Sequence, residues 1–182
     1  PLWFIPFIKI KFAHFLFSTS SGFCANSELL VKIITKKIFK KIDLSENQKN
    51  EVLKKYHFNK EFLMYTGGID HRKNIEGLIR SYALLTKSIR SEHQLAIVCS
   101  ISDDQRLILN SLTKSVGLNE NEVIFTGYIP EDDLVSLYNL CKAFIFPSWH
   151  EGFGLPALEA MNCGAAVIAS NRSSLPEVIG FN

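Results

Sequence analysis

The feature that most constrains the fold of this chain is a regular alternation, from residue 61 onward, of apolar runs with amphipathic segments. Five runs of strand length contain apolar residues only: 62–65, 95–98, 123–125, 143–146 and 165–169. Strands that are apolar throughout are covered on both faces of a sheet, and repeated strand–helix units pair their strands in parallel. The alternation therefore predicts an α/β fold, a Rossmann-like doubly wound parallel sheet, with ligands bound beyond the carboxyl ends of its strands.

Apolar residues recur at helical spacing between these runs, over residues 75–85, 107–116 and 134–141. Residues 1–60 are harder to interpret. They predict a short strand within 21–27, a basic helix that follows it through Ile38, and a second helix over 46–56. We place a boundary near residue 60, which separates a connecting unit at 1–60 from a ligand-binding domain at 61–182.

Composition excludes several classes of protein. The 182 residues are 47% apolar and 21% charged, which is typical of a folded globular domain and not of a disordered chain. The net charge is only +2, and the lysines are scattered or confined to residues 32–60, which argues against nucleic acid as a partner. The four cysteines lack Cys-x-x-Cys spacing, which favours a reducing cytoplasm.

The apolar amino-terminal segment is interrupted by Lys9, Lys11 and His14. Such interruptions argue against a membrane span, and the order of charged and apolar residues is unlike that of a signal peptide. We expect a cytoplasmic location, and peripheral contact with the inner face of a membrane stays compatible with this segment. We interpret both ends of the sequence as cut edges, because a new helical start at 175–179 comes just before the last residue.

The segment that is richest in functional signals follows the apolar run 143–146. Pro147 cannot donate to a sheet and ends the predicted strand, and Gly152 and Gly154 permit backbone angles that other residues avoid. Pro156 suits the first turn of a helix, because its fixed backbone angle and missing N–H cost nothing there. The pattern predicts a strand, a sharp loop and a helix.

Two carboxylates accompany this helix start: Glu151 lies on the loop and Glu159 about one turn inside the helix. Free N–H groups and the positive end of the helix dipole attract phosphate, and carboxylates accept hydrogen bonds from sugar hydroxyls. The alternative is structural, because an acid early in a helix offsets the helix dipole and Gly-Phe-Gly is also a turn sequence. Taken as an ordered set after a buried strand, these residues favour a site for an anion beside a polyol.

A second candidate segment, Thr66–Asn74, follows the run 62–65 and also lies at a carboxyl end. Arg72 and Lys73 suit a nucleotide diphosphate, since Arg makes forked hydrogen bonds and Lys acts as a point charge. Gly67 and Gly68 would let a ligand approach the backbone closely. The alternative is a pair of solvent-exposed cations beside ordinary turn glycines.

A third candidate is the segment 125–130, in which the backbone groups of Tyr128 and Ile129 could read the edge of a nucleobase. A plain strand–turn–helix junction explains these residues almost as well. The acidic pairs at 103–104 and 132–133 do not form the Asp-x-Asp pattern that would hold a metal–diphosphate complex. We therefore predict no metal at this site.

Together these segments resemble family 4 of the glycosyltransferases, in particular the bacterial mannosyl- and rhamnosyltransferase-like members that build surface polysaccharides. The resemblance rests on residues 65–75, 125–130, 146–164 and 169–177. It implies the GT-B fold, in which two Rossmann-like domains face each other across a cleft. The chain is similar to the carboxyl-terminal, donor-binding half of such an enzyme, and residues 1–60 would then be a remnant of the acceptor domain with connecting helices.

The resemblance also implies roles for the site residues. Glu151 would hold hydroxyls of the donor sugar, Lys73 would neutralise the diphosphate, Glu159 would bind the ribose, and the N–H groups from Phe153 to Leu155 would lie near sugar and phosphate. The reaction implied is transfer of a hexose from a nucleotide diphosphate sugar, such as GDP-mannose or a UDP-sugar, to a glycan or lipid-linked glycan. It would proceed with retention of configuration and without a metal or other cofactor.

Two departures from the family pattern stand out. Many relatives carry a phosphate-binding arginine near the position of Gly67 or Gly68, and Arg72 would have to substitute for it here. The acceptor-binding domain is almost wholly absent, so we expect this polypeptide alone to bind a nucleotide better than it turns over a substrate.

Two rival functions remain open at this point. The run Gly152-Phe-Gly-Leu-Pro-Ala157 matches G-x-G-x-x-A, the fingerprint of NAD(P)-linked oxidoreductases. Against it, the next strand leads into Ser170-Asn-Arg172 without the acid expected for the ribose, and several strand–helix units precede the supposed first one. The other rival is a nucleotide-binding module that catalyses nothing.

Overall fold

The computed structural model of the chain describes residues 8–11 and 37–180. In chain order its elements are β1 (Ile8–Lys11), α1 (Glu46–Lys55), β2 (Glu61–Thr66), a 3-10 turn (His71–Lys73), α2 (Ile75–Ala83), α3 (Lys87–Glu92), β3 (His93–Val98), α4 (Asp103–Ser115), β4 (Val123–Phe125), α5 (Glu131–Leu140), β5 (Ala143–Phe146), α6 (Leu155–Asn162), β6 (Val167–Ser170) and α7 (Leu175–Ile179). The predicted strands and helices of residues 61–180 are all present, and the predicted helix near 46–56 is confirmed as α1.

The strands form one sheet in the order β1-β6-β5-β2-β3-β4. β2 to β6 are parallel, which confirms the predicted doubly wound α/β fold, and β1 joins the outer edge antiparallel to β6. The chain adds β3 and β4 on one side of β2 and then crosses to the other side to form β5 and β6. Ligands of such sheets bind beyond the carboxyl ends where the direction of winding reverses, which here is between β2 and β5.

The core is built on the three central strands, whose side chains are covered on both faces as their apolar sequences predict. The fully buried large residues of these strands are Phe62, Met64, Tyr65, Leu95, Ile97, Phe144, Phe146 and the polar Gln94. Helices α2 and α4 pack on each other, and α5 packs on both α1 and α6. Right-handed crossovers place α2 and α4 on one face of the sheet and α1, α5 and α6 on the other.

The structure corrects two details of the predicted elements and adds two elements. The last strand begins at Val167 and not at residue 165, because the Ala165 N–H donates to the Ala160 carbonyl oxygen to close the end of α6. Gly152 does not take a left-handed backbone angle, whereas Gly154 does. The strand β1 and the short polar helix α3 had no signal strong enough to predict them.

Some predictions on residues 1–60 fall outside the described residues, namely the strand within 21–27 and the basic helix as far as residue 36. Where the structure does describe this part, α1 is attached to the main domain. Lys55 donates to the carboxylate of Asp133 at 2.7 Å, and the Tyr56 hydroxyl donates to the same carboxylate. The division of the chain near residue 60 stays a prediction.

Helix α6 has the start that its sequence predicts. Gly154 precedes it with a φ of 85°, and Pro156 lies in its first turn. The Gly154 backbone also lies against α7: a Cβ atom placed on it would stand 2.6 Å from Cδ2 of Leu175. Both the backbone angle and the close packing therefore require glycine at this position.

We expect Gly154→Ala to destabilise the chain by about 2–4 kcal/mol, the sum of a left-handed backbone penalty and an overpacked contact. The matched control is Gly152→Ala, because Gly152 lacks a left-handed φ and a Cβ atom placed on it would have no other atom within 4 Å. Urea unfolding of both variants measures the difference. Equal stabilities for the two variants would contradict the tight packing of Gly154 on α7.

Candidate functional site

The site is formed by the loops that follow β2 and β5, neighbouring strands at the reversal of winding. The two loops are joined by hydrogen bonds: the Trp149 N–H donates to the Arg72 carbonyl oxygen at 2.7 Å, and Asn74 Nδ2 donates to the Pro147 carbonyl oxygen at 3.3 Å. Asn74 precedes α2 as the sequence predicts, but its side chain makes this bond between the loops and does not cap the helix. Two of the three candidate segments are thus in direct contact.

Lys73 and Glu151 form a buried ion pair at the centre of this site. Lys73 Nζ lies 2.8 Å from each carboxylate oxygen of Glu151, and the two side chains are only 17% and 8% exposed. Removing two charges from water costs several kcal/mol, which their attraction offsets only when both partners are present. The pair therefore places a cation and a carboxylate side by side at the carboxyl edge of the sheet.

The backbone of Glu151 is fixed by the residues that lead into α7. The hydroxyls of Ser173 and Ser174 donate to the Glu151 carbonyl oxygen at 2.8 and 3.1 Å. Ser173 takes a left-handed φ of 55°, a costly angle for a residue with a side chain, and its hydroxyl also lies 3.3 Å from the Glu151 N–H. A strained residue that fixes the backbone of a charged residue is typical of a functional site.

The Arg72 side chain bonds to Asp70 and stays within electrostatic range of the ion pair: the hydrogen bond to Asp70 and, to a lesser degree, the charge of Glu151 raise the pKa of Arg72. Its side chain is 64% exposed, and Nε donates to Asp70 Oδ1 at 2.9 Å. This hydrogen bond lowers the pKa of Asp70 below its ordinary value. Arg72 hydrogen-bonds Asp70 whereas Lys73 pairs with Glu151, so the two cations have different anionic partners in this structure. A phosphate-binding role for Arg72 stays a prediction that requires it to leave Asp70.

The two predicted glycines of the β2 loop lie next to these groups. A Cβ atom on Gly67 would stand 2.8 Å from the Tyr65 hydroxyl, and one on Gly68 would stand 3.8 Å from Cε of Lys73. The Tyr65 hydroxyl donates to the Gly68 carbonyl oxygen at 2.5 Å. The loop is therefore held down on the sheet, and its second glycine leaves the space beside Lys73 open.

Glu159 lies on the second turn of α6 and contacts Tyr138 of α5. The Tyr138 hydroxyl donates to Glu159 Oε2 at 2.9 Å, and the tyrosine ring is wholly buried between Phe39 and Phe144. Burial raises the pKa of Glu159, and the hydrogen bond from Tyr138 opposes this rise. The first turn of α6 contains no acid, so the alternative explanation of Glu159 as a partner of the helix dipole does not hold.

The remaining predicted residues lie along the same edge of the sheet. Tyr128 is 80% exposed and Ile129 is buried, and both follow β4. Gly152 is exposed, Phe153 is half-buried, and Leu155 is 41% exposed at the start of α6. Among the predicted site residues, the direct hydrogen bonds between side chains are those of Lys73 with Glu151. A shared pocket for the other residues, and their roles in binding, stay predictions.

Sequence reasoning missed two polar residues here. Tyr138 occurs within an amphipathic helix, where its spacing indicates only a core position. Ser148 is wholly buried, and its Oγ has no hydrogen-bond partner within the described part of the chain, while its carbonyl oxygen accepts a hydrogen bond from Ser170. A buried hydroxyl without a partner, beside the ion pair's loop, is an unsatisfied group of the kind that a water or ligand completes.

Two negative findings apply to residues 8–11 and 37–180. No cluster of three or more His, Cys, Asp or Glu side chains in these ranges is arranged to hold a metal ion. Nor does any helix there combine the length and the apolar character that crossing a bilayer requires.

Comparison with known proteins gives a family match over most of the chain. The family model described as "Glycosyl transferases group 1" matches residues 46–182. The serotype-specific mannosyltransferase WbdA of Escherichia coli is 46% identical over 143 residues, which are 79% of this chain and 18% of that protein. The O-antigen chain mannosyltransferase B of Escherichia coli is 41% identical over 130 residues, 71% of this chain and 34% of that protein. The chain thus spans no more than about a third of the length of these relatives.

Solved structures share the fold. HepE of Anabaena, crystallised with UDP and glucose, superposes with a TM-score of 0.65 at 22% identity, over 78% of this chain and 37% of that chain. The carboxyl-terminal domain of the group 1 glycosyl transferase LpcC of Francisella tularensis superposes with a TM-score of 0.59 at 23% identity, over 74% of this chain and 68% of that chain. The doubly wound sheet is therefore that of a GT-B glycosyltransferase.

We expect the charges of Lys73 and Glu151 to be strongly coupled. Lys73→Met leaves a buried carboxylate without its partner and should cost about 3 kcal/mol, and the double variant with Glu151→Gln should recover most of that loss. Unfolding free energies of the two single variants and the double variant give the coupling energy. Additive effects would mean that the two groups do not form this pair in solution.

We expect Glu159→Gln to stabilise the chain at neutral pH. The pKa of Glu159 in the folded chain is raised above its ordinary value of 4.5, so folding favours the neutral carboxyl group. The stability that this neutral form contributes is fully present below pH 4.5 and is lost as the pH rises through the raised pKa. The variant should have a higher melting temperature than the wild type at pH 7.5, and this difference in melting temperature should shrink toward about pH 4. Melting curves over this range measure it, with Glu51→Gln as a control at an exposed position. A constant gap at all pH values would contradict the raised pKa.

Proposed function

The chain belongs to the group 1 glycosyl transferases, and from that premise we propose that it is the donor-binding half of a retaining hexosyltransferase. In this proposal the enzyme takes a nucleotide diphosphate sugar as donor and a glycan or lipid-linked glycan as acceptor. Because the chain covers 18% and 34% of its two mannosyltransferase relatives, the activity of the whole protein is part of the proposal.

The observation that carries the proposal is the buried ion pair of Lys73 and Glu151, in which the amine meets both carboxylate oxygens at 2.8 Å. A nucleotide sugar offers one partner to each group, because its diphosphate is an anion and its sugar is a polyol. We infer that the donor separates the pair: Lys73 then donates to the diphosphate, and Glu151 accepts hydrogen bonds from the sugar hydroxyls. Each charge keeps a partner in both states, so neither is left buried alone.

Helix α6 supplies the rest of the proposed donor site. The N–H groups of the loop residue Phe153 and of Leu155, the first residue of the helix, lie at its positive end and suit a phosphate oxygen. Glu159 would accept hydrogen bonds from the ribose hydroxyls, with its carboxylate oriented by Tyr138 at 2.9 Å. The backbone of Tyr128 and Ile129 would face the base, and Gly67 and Gly68 would admit the diphosphate.

The proposed reaction breaks the bond between the anomeric carbon and the diphosphate oxygen, and it forms one between that carbon and an acceptor hydroxyl oxygen. The leaving diphosphate takes the bonding electrons, and the hydroxyl proton leaves with them on a phosphate oxygen. Negative charge grows on the diphosphate as the bond breaks, and Lys73 with the start of α6 stabilises it. The charge of Lys73 supports transfer that does not depend on a metal, and retention of configuration is proposed with it.

For the donor we propose GDP-mannose first and a UDP-sugar second. Mannose is supported by the names of the two relatives from Escherichia coli, which are 46% and 41% identical to this chain. UDP is supported by its presence in the crystals of HepE, at the lower identity of 22%.

The NAD(P)-linked oxidoreductase is not favoured. Its glycine fingerprint follows β5, which is the fourth parallel strand along the chain, and β6 ends at Ser170 without an acidic residue for the ribose. A nucleotide-binding module without catalysis is not favoured either, because the relatives that are 46% and 41% identical are named as mannosyltransferases.

A panel of nucleotides tests the proposal by calorimetry. We expect GDP-mannose or a UDP-sugar to bind, NADH not to bind, and EDTA to change nothing. Lys73→Ala should weaken the binding of nucleotide sugars and of bare nucleotide diphosphates alike, by about tenfold or more, because both ligands carry the diphosphate.

Glu151→Ala is the matched variant of this panel. This variant should bind a nucleotide sugar at least about tenfold more weakly than the wild type does. Its binding of the corresponding nucleotide diphosphate should weaken much less, because the bare nucleotide lacks the sugar hydroxyls. Binding of NADH, or equal losses for both ligands in Glu151→Ala, would contradict the proposed donor site.

A further inference from the structure

A concave surface lies beside the loops that carry the ion pair. It is a groove of about 270 Å³ between the start of α2 and the first turns of α4, and Trp149 and His71 form one end of it. Trp149 comes two residues before Glu151, and His71 comes two residues before Lys73. The groove and the donor site thus share the same two loops, which the bond from Trp149 to Arg72 holds together.

The apolar part of this groove is an open aromatic surface. The Trp149 side chain is 46% exposed, and its ring meets the His71 ring edge to face at a centroid distance of 4.6 Å. Ile108 of α4 is 62% exposed and faces the groove. An exposed indole that is held at a fixed angle by a neighbouring ring offers a flat partner for the C–H face of a sugar.

The polar part of the groove selects against anions. Glu76 contributes a carboxylate, Asp70 contributes one that already accepts hydrogen bonds from Arg72, and Gln105 contributes an amide whose oxygen caps α4, which leaves its N–H groups for a ligand. Among the described residues that line the groove there is no lysine or arginine. Phosphate is therefore disfavoured, while hydroxyl groups find both acceptors and donors. This combination suits a neutral polyol better than a nucleotide.

We propose that this groove binds a neutral saccharide segment of the acceptor glycan, with one sugar ring stacked on Trp149. The proposal rests on the proposed function, because it is the transfer of sugar to a glycan that brings such a chain to this edge of the sheet. The growing glycan would lie against Trp149 and Ile108 while the donor lies by Glu151. The loops between the two sites would then hold the acceptor near the reacting carbon.

The test is titration of the chain with an α-linked mannose tetrasaccharide, followed by tryptophan fluorescence and by amide chemical shifts. We expect saturable binding with a dissociation constant of about 0.1–1 mM, and at least about tenfold weaker binding in Trp149→Ala and in Ile108→Asn. Leu107→Asn is the matched control: Leu107 is 65% exposed on the same helix but does not line the groove. It should bind the tetrasaccharide as the wild type does.

The outcomes separate this inference from the proposed function. If GDP-mannose or a UDP-sugar binds but the tetrasaccharide shifts no residue of the groove, the groove proposal is wrong and the donor site stands. If neither ligand binds, the proposed function fails with it. If Ile108→Asn instead changes the mass of the chain in sedimentation, or Leu107→Asn weakens the tetrasaccharide equally, the surface is a general apolar contact and the saccharide proposal is overturned.

Discussion

The pairing of β2 with β5 is the contact from which the site follows. Leu63 opposes Ala143 and Met64 opposes Phe144, although most of the strand–helix units of the sheet lie between them in sequence. Parallel strands end on the same edge, so this pairing brings the loops of residues 67–74 and 147–154 against each other. Lys73 and Glu151 are partners only because these two strands are neighbours.

This edge concentrates groups that do not favour the folded chain. Glu159 is half-buried with a raised pKa, Ser148 keeps a buried hydroxyl without a partner in the described structure, and Ser173 has a left-handed backbone. The apolar strands β2, β3 and β5 hold the protein together beneath them, as their fully buried side chains indicate. A site of this kind is stabilised by its ligand, since polar groups that cost free energy when empty gain partners when occupied.

The sequence predicted the sheet well because buried parallel strands are apolar throughout, as in 143–146, and because these short runs alternate with amphipathic helical segments. It also predicted where the site lies, because loops at carboxyl ends must meet. The sequence pattern could not predict the directions of individual side chains at this edge. The bond of Arg72 to Asp70 depends on the 3-10 turn that contains Arg72, and the contact between Tyr138 and Glu159 depends on how α5 packs on α6.

The edge strand β1 has a consequence for how the sheet is completed during synthesis. Ile8 pairs with Ser170, so among the described strands the one that is synthesised first has as its partner the one that is synthesised last. Until translation reaches that partner, residues 8–11 can form no ladder with it, and closing so long a loop is slow. The parallel strands can assemble progressively, whereas this antiparallel ladder has to wait for nearly all of the described chain to emerge.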